Sequence, residues 1–346
     1  MMQYRRFGRT NEQVSAMGFG TWPMSGDRYG AIEIDEAVKA IQAAIDAGVN
    51  CVDTAPAYGS GHSETAVARA LKGRRDKVLL VTKCGINRRP DQATPARDSS
   101  RANIMNEVDV SLKRLEVDYI DVYLIHWPDQ NVPYEESFGT MDEVVKSGKV
   151  RFVGVSNYTV EQMEACMKAR PIDVIQVGYH LFDRRMEKET FPFCAKNDIG
   201  VMGYGSLAHG LLTGAFRADM SFDEMDWRGG GVFFGQPLLK GQNLGTNVGV
   251  VNRIKSEIAD PRGVPLTQIA LAWVLRNPVV STALVGSRTP VELASNLAGA
   301  DLTLSDDEVA RIEEIMKGAA GMHDVFTPLR QAMEEWGPIA EAQPAT

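Results

Sequence analysis

Ile120-Asp121-Val122-Tyr123-Leu124-Ile125-His126 is a near-continuous apolar run that ends on an imidazole. Lacking the strict alternation of a half-exposed strand, it reads as a strand buried on both faces. Two similar runs precede it. Val78-Leu79-Leu80-Val81-Thr82-Lys83 ends on an ammonium, and Asn50-Cys51-Val52-Asp53 ends on a carboxylate, with Tyr58 in the loop that follows. Helical patterns come after each run, at Glu64 to Leu71, Ala102 to Leu115 and Tyr134 to Ser147. Strands alternating with helices in this way predict right-handed βα units on a parallel sheet.

The same rhythm extends in both directions. Upstream, Met17 to Gly20 precedes a helical stretch from Ile34 to Ala47. Downstream, Phe152 to Val155 leads into Val160 to Lys168, and Val174 to Val177 into Lys188 to Asn197. Gly200 to Tyr204, a helix from Thr267 to Arg276, the run Ser281 to Val285 and a helix from Val291 to Leu297 complete eight strands. The predicted fold is α/β, a (β/α)8 TIM barrel formed by residues 1–346 as one domain. Tyr4 to Gly18, turning at Gly8-Arg9-Thr10-Asn11, reads as an N-terminal hairpin that closes the bottom of the barrel. After strand 7 the rhythm breaks. Residues 205–249 form a long, Gly-rich but aromatic loop, expected to be a lid or cofactor loop. A short helix from Pro328 to Glu335 and a loose tail at 338–346 end the chain.

Composition narrows the function. Hydrophobic residues at 44% and charged residues at 24% are those of a globular protein with a core. A net charge of -8 argues against nucleic-acid binding, which needs clustered Lys and Arg; Lys72 to Lys77 reads as a solvated helix end. No stretch resembles a membrane span or a signal peptide, so a cytoplasmic protein is expected, with no membrane partner. Cys51, Cys84, Cys166 and Cys194 are widely spaced and indicate neither a zinc site nor a disulfide framework.

In such a barrel the strand ends gather on one face, and that face carries the chemistry. Asp53, Tyr58, Lys83 and His126 therefore meet there. Taken singly, each fits a bland role: a helix cap, a core phenol, a surface ammonium, a buried imidazole. Together they offer proton transfer without a thiolate or metal. The ammonium of Lys83 is expected to lower the Tyr58 pKa, Asp53 to hold Lys83 charged, and His126 to orient a substrate oxygen. These groups suit delivery of a proton to a carbonyl oxygen. Hydride must then come from a nicotinamide or flavin, since no side chain donates it.

Asp53-Thr54-Ala55-Pro56-Ala57-Tyr58-Gly59, Thr82-Lys83 and Leu124-Ile125-His126-Trp127-Pro128-Asp129 resemble successive signatures of the aldo-keto reductases. The resemblance runs from Gly18-Phe19-Gly20-Thr21-Trp22 to Asn296. It implies a (β/α)8 barrel, NAD(P)H, no metal, and a catalytic tetrad of Asp53, Tyr58, Lys83 and His126 with Tyr58 as general acid. For the cofactor it implies a set beginning with Gly20, Thr21, Trp22 and Asp53. Ser156 and Asn157, in Gly154-Val155-Ser156-Asn157-Tyr158, together with Gln176, correspond to the groups that hold the carboxamide. Tyr204 corresponds to the ring stacked on the nicotinamide. Gly205, Ser206 and Leu207 match the segment lying against the pyrophosphate, and Gly286, Ser287, Arg288, Glu292 and Asn296 the adenosine end. There is no Rossmann G-x-G-x-x-G. Arg288 favours NADPH through a 2′-phosphate, while the acidic Glu292, where many members carry a basic residue or Gln, leaves NADH open.

Substrate-pocket walls are expected at Trp22, Met24, Tyr58, His126, Trp127, Trp227, Phe233 and Phe234. They suggest a small-molecule partner: a sizeable apolar aldehyde or ketone, or a sugar ring stacked on an indole. The alternative is a nucleotide-sensing regulatory protein on the same barrel, which binds cofactor without turnover. A barrel hydrolase or lyase would show clustered metal ligands at strand ends, and none stand out.

Overall fold

The eight buried runs form eight strands: β1 (Met17–Gly20), β2 (Cys51–Asp53), β3 (Leu79–Cys84), β4 (Ile120–Ile125), β5 (Val150–Ser156), β6 (Val174–Gly178), β7 (Gly200–Tyr204) and β8 (Val280–Val285). The computed structural model describes residues 2–26, 29–30, 32–87, 96–223 and 226–324. The helix expected at 328–335 and the tail at 338–346 lie outside them. Each strand pairs in parallel with the next, and β8 closes on β1 with Ala283 opposite Met17. This is the (β/α)8 barrel that the alternation of buried runs and helices predicts.

Side-chain alternation divides each strand between two cores. Cys51, Leu79, Val81, Val122, Leu124, Val174, Met202 and Leu284 form one cluster inside the barrel. Their neighbours in sequence face the outer helices and join the larger cluster there. Phe7, from the hairpin of Tyr4–Arg6 and Gln13–Ser15, belongs to the inner cluster and is fully buried. A Cβ at Gly200, the first residue of β7, would meet the Phe7 ring, so the hairpin stops the barrel at the strands' N-terminal ends. The opposite end remains for chemistry.

Among the described residues the α-helices of seven residues or more are α1 (Ile34–Asp46), α2 (His62–Ala70), α3 (Arg101–Leu115), α4 (Tyr134–Lys146), α5 (Val160–Met167), α6 (Thr190–Lys196), α7 (Gln242–Ile254), α8 (Leu266–Arg276), α9 (Pro290–Leu297) and α10 (Asp306–Met316). Two depart from expectation. The segment after β7 ends at Gly241 rather than at 249, because Gln242 begins α7; Gly245 and Gly249 weaken that helix's sequence signal. The helix α10 is not among those the pattern predicts, although Ser305 and Glu308 make a capping box, each side chain bonding the other's backbone N–H.

Among the described residues no helix is long and apolar enough to cross a membrane. All four cysteines are buried and unbridged. Burial holds the Cys84 thiol well above its ordinary range, so it supplies no thiolate beside Lys83.

Candidate active site

Asp53 is the last residue of β2, and Lys83 lies one residue before the end of β3. The two strands pair with Asp53 opposite Val81, which sets Lys83 just beyond Asp53 along the neighbouring strand. Both side chains are buried, Lys83 completely. Lys83 Nζ donates to Asp53 Oδ1 at 2.8 Å and Oδ2 at 2.9 Å, to the Thr54 carbonyl at 2.9 Å, and to Tyr58 Oη at 3.2 Å. Burial pushes Asp53 up and Lys83 down, and the attraction between them opposes both shifts.

Tyr58 opens a short turn whose next three residues, Gly59, Ser60 and Gly61, all have positive φ. Gly59 is required there. A Cβ on it would lie 2.1 Å from the carbonyl oxygen of Ser25, so the Tyr58 turn rests directly on the first loop. Thr21 fastens that loop from its other side, with its backbone N–H and its hydroxyl both donating to the Asp53 carbonyl, at 3.0 and 2.9 Å.

Burial holds the Tyr58 phenol well above its ordinary pKa, and Asp53, Tyr204 and Tyr29 add to the effect. This corrects the expectation that Lys83 lowers it. The ammonium spends its charge on Asp53, so desolvation of the phenolate wins. His126 follows β4 and is fixed through its backbone, its N–H donating to the Cys84 carbonyl at 2.9 Å and its carbonyl accepting from Asn157 Nδ2 at 3.2 Å. Its ring stands edge-on to Tyr58 with centroids 5.7 Å apart. The structure thus brings Asp53, Tyr58, Lys83 and His126 to one end of the barrel.

Ser156 at the end of β5, Asn157 beyond it and Gln176 in β6 are all buried. Asn157 has φ 65°, and its side chain is engaged on both sides: Nδ2 donates to Ser156 Oγ at 3.0 Å, and Oδ1 accepts from Tyr204 Oη at 2.7 Å. Gln176 Nε2 donates to Asp53 Oδ1 at 2.7 Å, which its sequence context does not reveal.

The remaining expected cofactor residues are largely tied to one another. Gly20, the last residue of β1, pairs with Asp53 of β2, and Trp22 continues the first loop. Gly205 has φ 68°, Ser206 donates its hydroxyl to the Leu284 carbonyl at 3.1 Å, and Leu207 packs on the outer core. After β8, Ser287 is fully buried and accepts from Asn296 Nδ2 at 3.0 Å. A Cβ on Gly286 would strike Pro23 of the first loop at 2.5 Å. Arg288 reaches away to the Tyr29 carbonyl at 3.0 Å, while its backbone N–H donates to Glu292 Oε2 at 2.9 Å.

Aromatic rings crowd the mouth. Trp22 lies 6.1 Å from Tyr58 and 4.9 Å from Trp227, and Trp127 lies 5.9 Å from Phe234. Two expected walls sit behind this layer: Met24 and Phe233 have no exposed surface, Met24 being part of the outer core. Two rings that sequence reasoning missed are in it. Tyr29 stands 5.4 Å from Trp22, and His209 stands 5.1 Å from Trp227. The only sequence signal for His209 is an imidazole in the otherwise apolar Ala208-His209-Gly210-Leu211-Leu212.

Among the described residues, no group of His, Cys, Asp and Glu could hold a metal ion. Residues 16–317 match the model of the Aldo/keto reductase family. The chain belongs to the aldo/keto reductase family. It is an oxidoreductase that moves hydride between a nicotinamide cofactor and a carbonyl compound. It is 36% identical to aldo-keto reductase YhdN of Bacillus subtilis, covering 91% of this chain and 94% of that one. It is 31% identical to the NADH-specific methylglyoxal reductase of Escherichia coli, covering 89% and 96%. Among solved structures it is similar to a glycerol dehydrogenase of Gluconobacter oxydans, with a TM-score of 0.80 and 33% identity over 91% and 94% of the chains. An aldo/keto reductase of Klebsiella pneumoniae in complex with NADP and acetate gives a TM-score of 0.69 and 30% identity over 94% and 100%.

Proposed function

We propose that this reductase converts an apolar aldehyde or ketone to its alcohol, with Tyr58 donating the proton to the carbonyl oxygen. One observation carries the reading: Lys83 Nζ donates to the phenolic oxygen of Tyr58. An ammonium has no lone pair, so Tyr58 must accept in that contact, and its own hydrogen points away from Lys83. A phenol held protonated by burial, with its hydrogen so directed, is in the right form to donate as negative charge develops on a substrate oxygen.

Asp53 then acts through Lys83, keeping the ammonium in place, and Thr54 fixes its remaining direction. His126, edge-on to Tyr58, borders the space where the carbonyl oxygen must sit and orients it. The rings of Trp22, Trp127, Trp227 and Phe234 exclude water from that space, which strengthens each of these contacts.

The residues around Tyr204 fit a nicotinamide dinucleotide. Ser156, Asn157 and Gln176 are neutral amide and hydroxyl groups, suited to a neutral carboxamide rather than an anion. Ala208 has φ 47° and its N–H donates to the Gly205 carbonyl at 2.6 Å, which closes the segment after β7 into a tight turn beside Tyr204. Bound NADPH would supply hydride. Arg288, at the start of α9, is the group that favours NADPH over NADH. A second reading, NADH, is favoured by Glu292, whose carboxylate already occupies the Arg288 amide at the helix start.

The test is loss of the reduced-nicotinamide absorbance on mixing protein, NADPH or NADH, and a panel of aromatic aldehydes, dicarbonyls and cyclic ketones. Turnover that Tyr58→Phe removes is the expected result. Cofactor binding with no turnover of any carbonyl would instead match a nucleotide sensor.

A further inference from the structure

Phe234 has φ 49° and Gly235 has φ 84°. Phe233 and Gln236, on either side, exchange both backbone hydrogen bonds, at 2.8 and 2.9 Å. The four residues therefore form a two-residue turn with both central positions left-handed, the type I′ geometry. Its first central position normally holds Asn, Asp or Gly, because a Cβ is strained there. Here an aromatic residue occupies it.

This ring borders the outer core without being enclosed in it, with His209 5.4 Å and Trp227 5.9 Å away. Phe233 supplies the buried anchor, packing 4.9 Å from His209 and 5.0 Å from Trp227. Gln236 is buried as well, and its Nε2 donates to the Phe182 carbonyl, which roots the turn in the loop after β6. Phe234 itself stays partly exposed. The rooted turn aims its ring at the mouth, nearly parallel to Trp127 at 5.9 Å and edge-on to Tyr204 at 5.6 Å, with Trp22 at 6.2 Å. It thus touches rings from the end of β7, from beyond β4 and from the first loop that also carries Trp22 against Tyr58. A strained, half-buried side chain held by unstrained neighbours points to function rather than packing.

We propose that Phe234 is the specificity-determining residue of the pocket. It selects aryl aldehydes and ketones, whose ring lies against it while the carbonyl oxygen reaches Tyr58. This deepens the carbonyl-reduction reading and rests on it.

The experiment compares the full-length protein with Phe234→Gly and Phe234→Asn, both of which tolerate the left-handed backbone. Three quantities are measured: KM and kcat for a naphthaldehyde and for methylglyoxal, quenching of tryptophan fluorescence by naphthoic acid, and Tm. The expected result is that both variants raise KM for the naphthaldehyde and weaken the quenching by about tenfold, the scale of losing an aromatic contact. KM for methylglyoxal rises by clearly less, so the ratio of the two kcat/KM values shifts against the naphthaldehyde, while any loss of turnover from admitting water to the mouth is common to both aldehydes. Parallel changes for both aldehydes, or a lower Tm with unchanged KM and quenching, would overturn the proposal. If the wild type binds naphthoic acid through Phe234 yet oxidises no cofactor with any aldehyde, the carbonyl-reduction reading fails while the aryl site stands. Quenching unaffected by either variant sinks the aryl site alone.

Discussion

Gln176 on β6 reaches across the barrel to Asp53 on β2, placing Nε2 2.7 Å from Oδ1. The contact joins the residues proposed to hold the carboxamide to the carboxylate that holds Lys83. Gln176→Leu preserves bulk and removes the donor. Hydrogen bonds to charged groups contribute roughly 1.5–3 kcal/mol. We expect that loss in chemical denaturation, together with weaker cofactor binding and slower turnover. A variant impaired in stability alone would separate the two roles.

Tyr58→Phe removes the proton donor and little volume. General acid catalysis is worth about 10²–10⁴-fold, so kcat should fall by at least the lower figure. Cofactor affinity, read by fluorescence titration, should stay nearly constant.

Lys83→Met leaves Asp53 buried without its cation, a change that typically destabilises by about 3–5 kcal/mol. Adding Asp53→Asn removes the stranded charge, so the double variant should recover much of the stability and none of the activity. Thermal unfolding and turnover measured on both proteins check this. Equal stability of the single and double variants would contradict the coupling.

Glu292→Gln retains a cap for the Arg288 amide but removes the negative charge. The ratio of kcat/KM for NADPH to that for NADH should rise, by about tenfold if the carboxylate opposes a 2′-phosphate. An unchanged ratio would place the discrimination elsewhere.

Three buried imidazoles make the fold acid-sensitive. Burial lowers His180 to about 3 and His323 to about 4, and holds His209 well below its ordinary 6.5. Arg185 adds to the effect on His180 and His323, and His180 adds to it on His209. Below pH 6.5 the unfolded chain takes up these protons and the folded chain does not. Stability is therefore complete above about 6.5 and falls as pH drops toward 4, by about 1.4 kcal/mol per pH unit for each proton of imbalance. Glu107 works in the opposite sense. Burial raises it to about 7, so the folded state binds the extra proton between that pH and the ordinary 4.5. Urea denaturation between about pH 7.5 and 5 should show a net loss on acidification, steeper in Glu107→Gln.

The barrel is readable because its strands are buried on both faces. Leu79 to Cys84 and Ile120 to Ile125 have no exposed residue, and where such runs alternate with helices a central parallel strand is the simplest way to bury them. The meeting of Asp53, Lys83 and His126 follows from their positions at strand ends. What escapes reading depends on contacts with no sequence period. Tyr29 and His209 enter the aromatic layer only because loops distant in sequence fold over each other. Met24 and Phe233 look like walls because apolar residues next to a site are indistinguishable in sequence from those inside it. The suppression of Tyr58 acidity is equally hidden, since it depends on how completely the pocket is dried and on Lys83 already being neutralised by Asp53.

The close approach of Gly59 to the Ser25 carbonyl has a consequence for how such a protein diversifies. The loop that shapes the mouth and the turn that carries the phenol share one surface with no room for a methyl group. A change of backbone in one therefore has to be matched in the other. A library that randomises residues 22–26 alone samples only backbones that still clear Gly59, so new substrate ranges should emerge more readily when both segments are exchanged together.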